Sequence, residues 1–263
     1  MKKYGLFFLL AALAAGDLSA ANDSMIMTSD GRVIKTSRIE IRDNEELEYL
    51  SPDGKVKNRI ARGRYLYAQI PKPASVTAAD QKFRDQQWIS AAALYKKAAA
   101  EYALLGWGVY CNRMEAESLT RLGEKQQAMD LLRKLHSIRE TNPEQMLNRA
   151  LADNLLSDLL IEAKQFDEAE KILSRQRQQD DPDLLFAAYF KSAVILQGRG
   201  KTKEAALLFY QTALLFPKNA RRAEALFNAW NLLSEMKSPS AGKIGEQLKR
   251  EYPDSQYAKQ VFF

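Results

Sequence analysis

From residue 24 to residue 70, apolar and polar positions alternate with a period of two and are interrupted often by turn residues. The pattern is clearest in Arg38-Ile39-Glu40-Ile41-Arg42 and Glu46-Leu47-Glu48-Tyr49-Leu50. Successive strand side chains point to opposite faces, so Ile39, Ile41, Leu47 and Tyr49 are expected on one face and the charges on the other. Asp30-Gly31 and Pro52-Asp53-Gly54 are strong turn signals. The stretch predicts four or five short antiparallel strands. So short a segment is marginal alone, which favours closure into a small barrel or docking on the region C-terminal to it. Pro71-Lys72-Pro73 ends the alternation, and beyond it apolar residues recur at helical spacing to the C-terminus.

The helical region repeats itself. A small residue followed four positions later by an aromatic or Leu occurs at Ala91 and Tyr95, Ala128 and Leu132, Ala169 and Leu173, and Ala205 and Phe209, with a degenerate fifth copy at Ala241 and Gly245. The alanines are 37, 41, 36 and 36 residues apart. Twelve residues before each stands a small side chain: Ala79, Ala116, Ser157, Ala193 and Ala229. Leu119, Leu160, Leu196 and Leu232 follow the last four of these by three positions. Five residues before the alanine come Gly123 and Gly200, with Lys164 and Met236 in other copies. Pro217 and Pro253 close the second helix, and Pro143 and Pro182 come slightly later.

This pattern resembles the tetratricopeptide repeat (TPR) family, whose unit is a helix–turn–helix of about 34 residues. The resemblance covers residues 76–258. It implies an α-α solenoid in which small residues let paired helices approach, Gly relaxes the turn and Pro stops the second helix. The fold class expected is therefore mainly α, a TPR-like solenoid of four to five repeats over 72–263, preceded by a small antiparallel β domain over 22–71. The turn glycines and aliphatics of that domain are similar in spacing to small SH3-like barrels. Tyr252-Pro253-Asp254-Ser255 with Ala258 resembles repeat ends in bacterial envelope assembly proteins.

Residues 1–21 have the three parts of a secretory signal peptide: Lys2 and Lys3, an apolar run from Tyr4 to Ala15, and small residues at Ser19, Ala20 and Ala21. Cleavage is expected after Ala21 or Ala20. The run is shorter than the roughly 20 residues of a membrane span, and no cysteine lies near it for lipid attachment. The chain is expected to be exported, periplasmic or associated with the envelope, without a transmembrane helix in its mature part. The formal net charge is +6, moderate for this length, and export argues against nucleic acid as a partner.

Cys111 is the only cysteine and His136 the only histidine. One Cys makes no internal disulfide, Cys/His metal sites need several such ligands, and a catalytic triad needs a His base. Cys111 reads as a small buried helix residue and His136 as a solvated one near a helix end. Asp180, Asp181 and Asp183 read as caps for a helix starting near Pro182. The basic cluster Lys55, Lys57, Arg59, Arg62 and Arg64, interleaved with Tyr65 and Tyr67, reads as the wet face of the sheet. Gly198-Arg199-Gly200-Lys201-Thr202 ends like a phosphate-binding loop. That loop needs a glycine at 195, where Ile195 stands, and a preceding strand, where the spacing is helical. The tripeptide is expected at a turn between two repeat helices. No catalytic residues, cofactor or metal are expected.

The resemblance implies a concave wall built from the first helix of each pair. Positions three before and one after the small residue select Arg113 and Glu117, Asn154 and Asp158, Phe190 and Val194, and Leu226 and Trp230. Such a groove, polar first and apolar toward the C-terminus, suits an extended peptide or a partner helix, with Phe190 and Trp230 as anchors. The expected function is a non-enzymatic exported scaffold or adaptor for a protein or peptide partner, in cell-envelope assembly. The alternative is a cell-wall or polysaccharide-binding module in which the β domain makes the contact. An enzyme centred on the β domain and a nucleotide binder stand behind both.

Overall fold

The structure is a computed structural model that describes residues 23–138, 140–178 and 180–262. The export segment expected at 1–21 lies outside the described residues. The chain divides into two compact units, Met1–Pro71 and Lys72–Phe263.

Among its described residues the first unit contains six strands, one or two more than the alternation predicts: β1 (Ser24–Thr28), β2 (Val33–Thr36), β3 (Ile39–Ile41), β4 (Leu47–Leu50), β5 (Lys57–Ile60) and β6 (Tyr65–Gln69). They form two three-stranded antiparallel sheets, ordered β2-β1-β6 and β3-β4-β5. Gly31 and Gly54 adopt φ of 85° and 72° in the two turns marked in the sequence. Gly63, at φ 89°, makes the turn from β5 to β6 that separates what reads as one run. Ile39 pairs with Tyr49 and Ile41 with Leu47, as alternation requires. Ile26, Ile39, Leu47, Tyr65 and Ala68 are buried.

Among its described residues the second unit contains five antiparallel helix pairs: α1 (Ala74–Arg84) with α2 (Trp88–Glu101), α3 (Gly108–Arg121) with α4 (Lys125–Ser137), α5 (Pro143–Glu162) with α6 (Phe166–Gln176), α7 (Pro182–Gly198) with α8 (Thr202–Leu215), and α9 (Arg222–Glu235) with α10 (Ser240–Glu251). All five small first-helix residues, Ala79, Ala116, Ser157, Ala193 and Ala229, are fully buried. So are Ala91, Ala128, Ala169 and Ala205 on the second helices, where any larger side chain would push the pair apart. Tyr95, Leu132, Leu173 and Phe209 fill the space beside them. In the fifth pair Gly245 replaces the large residue because Trp230 and Val261 already occupy that volume: a Cβ there would lie 2.9 Å from Val261 Cγ1 and 3.0 Å from the Trp230 ring.

Every pair turns the same way. Gln86, Gly123, Lys164, Gly200 and Lys237 take φ between 54° and 83°. Each donates its N–H to the carbonyl three residues back, and the next residue donates to the carbonyl five back, as in Glu124 to Leu119 and Lys201 to Leu196. These two hydrogen bonds satisfy the last carbonyls of the first helix. The fifth turn centres on Lys237 and not on Met236, whose φ is −79°, because that copy is one residue shorter before its alanine. Asn142 and Asp181 cap α5 and α7, each followed by a proline at the first helical position. Of the three aspartates expected near that start, Asp181 is the cap. Among the described residues no helix is long and apolar enough to cross a membrane.

Candidate functional site

Residues 147, 151, 154 and 158 of α5 fall within a narrow arc at 100° per residue, so Leu147, Leu151, Asn154 and Asp158 form one stripe. Leu147 and Leu151 are 54% and 36% exposed, a patch of apolar surface that folding leaves uncovered. Opposite them α3 presents Glu117, Thr120 and Arg121, which with Leu151, Asn154, Leu155 and Asp158 line a concavity of about 330 Å³; Leu147 continues the stripe beyond it. Arg113 supports one wall: its Nε donates to Asn148 Oδ1 at 3.2 Å, it pairs with Glu117, and its guanidinium lies 5.4 Å from the Tyr110 ring centre.

Beneath the stripe lies Lys191 of α7, 5% exposed. Its ammonium donates to Asn154 O and Oδ1 at 2.7 Å each and to Ser157 Oγ at 3.0 Å, and pairs with Asp158 Oδ1 at 2.7 Å. Burial lowers its pKa, and Asp158 works against that shift. With the Asn154 side-chain oxygen engaged, its NH₂ group keeps both donors for the concavity. Asp158, half exposed, retains an acceptor beside it. The site thus offers an amide donor, a carboxylate acceptor and an apolar shelf in sequence.

The expected site residues separate into two groups. Glu117, Asn154 and Asp158 line the concavity, and Arg113 stands behind it. Phe190, Leu226 and Trp230, expected as exposed anchors or groove wall, are buried at 5%, 0% and 2% exposure, and Val194 packs against the same core. Phe190 stacks on Phe186, meets Phe209 edge-on at 5.0 Å and lies 4.5 Å beneath the Arg221 guanidinium carbon. Trp230 packs on Phe227 and Phe262. The first helices of the last two pairs are apolar around most of their circumference, so neighbouring helices cover the positions that remain open on α3 and α5. Sequence reasoning missed Lys191 and the Leu147–Leu151 shelf. A single lysine inside Leu184-Leu185-Phe186-Ala187-Ala188-Tyr189-Phe190-Lys191-Ser192-Ala193 was the available signal.

Other candidates find structural roles. Cys111 is buried, and burial pushes its thiol up to about 12. His136 is not merely solvated: Nδ1 lies 2.7 Å from Asp153 Oδ1 and Nε2 lies 3.1 Å from Arg175 Nη1. In the β unit the charged face is not simply wet. Glu48 is 5% exposed and receives Arg42, Lys57 and Arg59, while Arg62 pairs with Glu45. Much of the basic cluster is therefore used internally. Gly200 sits at the α7–α8 turn, with Lys201 as the residue before α8.

No protein-family model matches the sequence, and no curated protein matches it. Solved structures do resemble it. YrrB, a TPR protein described with an unusual peptide-binding site, superposes with a TM-score of 0.51 at 19% identity over 70% of this chain and 88% of that one. A Podosopora anserina putative kinesin light chain with nearly identical TPR-like repeats gives 0.53 at 17%, over 70% and 95%. MamA from Desulfovibrio magneticus RS-1 gives 0.55 at 14%, over 70% and the whole of that chain. At these identities the likeness is one of fold: the chain carries a small antiparallel β unit and, C-terminal to it, a TPR-like α-solenoid of five helix pairs.

Proposed function

We propose that this protein is a non-enzymatic scaffold that holds a peptide segment of a protein partner against α3 and α5, and that it works after export, in the cell envelope. The observation that carries the reading is the α5 stripe, where exposed Leu147 and Leu151 run into Asn154 and Asp158, with the latter two fixed from below by Lys191. Nothing among the described residues covers that apolar shelf, and extended peptides are held by such alternation of shelf and backbone-binding polar groups. The signal-like N-terminal sequence supports export. The envelope setting rests on that segment and on the Tyr252–Ala258 likeness.

The test is capture from an envelope fraction with wild type and with a Leu147→Ala/Leu151→Ala/Asp158→Ala variant of unchanged circular dichroism. Loss of the captured partner in the variant is expected. Equal recovery with both proteins would overturn the assignment of the groove.

A further inference from the structure

A second concavity, of about 240 Å³, lies where the end of α4, the first half of α5 and the end of α6 meet. Met146, Ala150 and Asp153 follow one another at i, i+4 and i+7 and so form one stripe of α5. That stripe is set about 100° around the helix from Leu147, Leu151 and Asn154. Ile138, just beyond α4, and Met146 are the exposed apolar part of the lining, whereas Gln176 of α6 is 2% exposed.

The charges of this lining are used within the chain. Asp153 Oδ1 lies 2.7 Å from His136 Nδ1, and Arg175 Nη1 lies 3.1 Å from His136 Nε2. Glu140 accepts from the N–H groups of Thr141 and Asn142 at 2.8 and 2.7 Å. Arg149 donates through Nη1 and Nη2 to the carbonyls of Ile138 and His136, which closes the end of α4. Two side-chain atoms are left over: Arg149 Nε, and Gln176 Oε1, whose amide nitrogen is turned to Ala150 O at 3.4 Å. Among the described residues they are the only buried side-chain nitrogen or oxygen atoms without a hydrogen bond, and both belong to this one lining. Arg149 Nε lies 3.4 Å from Asp153 Oδ1, an ion pair that does not meet hydrogen-bond geometry. A buried donor and a buried acceptor without partners each carry a desolvation cost that a partner would remove.

We propose that this concavity is a second binding site, separate from the α3–α5 groove, and that its occupant is a glutamine side chain of a partner protein. The amide oxygen accepts from Arg149 Nε, the amide NH₂ donates to Gln176 Oε1, and Ile138, Met146 and Ala150 hold the methylene stem. A carboxylate has no donor for Gln176 and would face Asp153 and Glu140; an ammonium has no acceptor for Arg149 and would face Arg175 as well. A single water donates and accepts too, but needs only about 10–15 Å³ and no apolar surroundings. Both polar atoms are shielded from solvent, so entry requires side chains of the lining to shift. Met146 and Arg175, long and exposed, can do so, and the two methylenes of glutamine reach further beneath them than the one of asparagine.

The probes are three acetylated, amidated peptides Gly-Ala-X-Ala-Gly with Gln, Glu or Met at X, titrated by NMR against the full chain carrying ¹³C-methyl methionine and ¹⁵N arginine. The Gln peptide is expected to move the Met146 methyl and Arg149 Nε–H resonances. It should bind roughly tenfold tighter than the other two, the worth of one or two hydrogen bonds. Gln176→Leu, similar in size, removes the acceptor and with it the preference for Gln over Met; should that variant not fold, the three wild-type titrations decide alone. Resonances of Met146 and Arg149 that none of the peptides moves overturn the site. Equal affinity for the three peptides overturns the class of ligand. An Arg149 Nε–H that stays put and shows a cross-peak to long-lived water means that water satisfies it, which also overturns the proposal. The Leu147/Leu151/Asp158 triple variant should keep the Gln titration, so failure here and failure of the proposed groove are separately visible; its loss would overturn the separation of the two sites.

Discussion

At the scale of single residues, buried charges decide how the two units respond to pH and mutation. Glu48 is held at about 2 by hydrogen bonds from Arg42, Lys57 and Arg59 that outweigh its burial. Its folded pKa lies below the ordinary glutamate value of 4.5, so its stabilising contribution is complete above that value and lost as pH falls toward 2. Acid titration of the β unit is expected to show this loss, and Glu48→Gln should remove it while lowering stability at neutral pH. Glu115 has the opposite sign. Desolvation raises its pKa, so the charged form destabilises the fold, and the penalty disappears as the group takes up a proton at lower pH. Glu115→Gln is therefore expected to raise Tm at neutral pH, by an amount that shrinks on acidification; a lower Tm would show that the carboxylate has an unseen partner. Lys191 couples stability to the stripe above it. Removing one partner of a buried charged contact is destabilising, because the groups it served lose their donor. Lys191→Met leaves Asn154 O and Ser157 Oγ without theirs and is expected to lower Tm while releasing Asn154 and Asp158. An unchanged Tm in thermal melts would show that the ammonium contributes nothing net to the fold.

At the scale of the element, the helix-pair turn is where sequence and structure agree most closely. Gly123 and Gly200 mark two turns directly because left-handed backbone is inexpensive for glycine. Lys164 is legible only through the period, and Gln86 and Lys237 needed the structure, since lysine and glutamine carry no turn signal. The buried small residues were equally legible, because their requirement is steric and local. The register rule for the proposed groove fares differently. It puts Asn154 and Asp158 at positions that stay partly or fully open, yet it cannot tell that Phe190 and Trp230 are covered by Phe209, Arg221 and Phe262, residues distant along the chain. The turn itself supplies a prediction with two signs. Gly200→Ala forces a β-carbon into left-handed backbone and should cost about 1–2 kcal/mol, whereas Lys164→Gly relieves the same strain and should stabilise, or at worst be neutral. Urea unfolding of both variants measures this; destabilisation by Lys164→Gly would mean that the lysine side chain contributes more than its backbone costs.

For the whole molecule, the division at Pro71 and Lys72 sets which parts can be separated. Lys72 belongs with the helices: its ammonium pairs with Asp80 and lies 5.2 Å from the Tyr110 ring centre and 5.7 Å from that of Trp107. Asp80 is 7% exposed and accepts from Tyr95 and Tyr110 at 2.7 Å each. Burial pushes its pKa up, but the bonds from Lys72 and the two tyrosines outweigh that and hold it low. The carboxylate is charged in the folded state, and removing its cation leaves a buried anion with only phenol donors, a loss of the kind that costs several kcal/mol when complete burial is involved. Two fragments test this. One starting at residue 70 retains Lys72, and one starting at residue 74 lacks it. The longer fragment is expected to keep the helical spectrum and peptide capture of the full chain, since Glu117, Asn154, Asp158 and Lys191 all lie within it. The shorter fragment should melt at lower temperature, and the deficit should shrink in acid as Asp80 is protonated. In a stack where each pair touches chiefly its neighbours, damage at the first pair fades along the array. Hydrogen exchange should accordingly show α1 to α3 loosened and α7 to α9 unchanged. Uniform loosening would mean that the five pairs unfold as one block, and that the groove on α3 and α5 depends on the integrity of the whole stack.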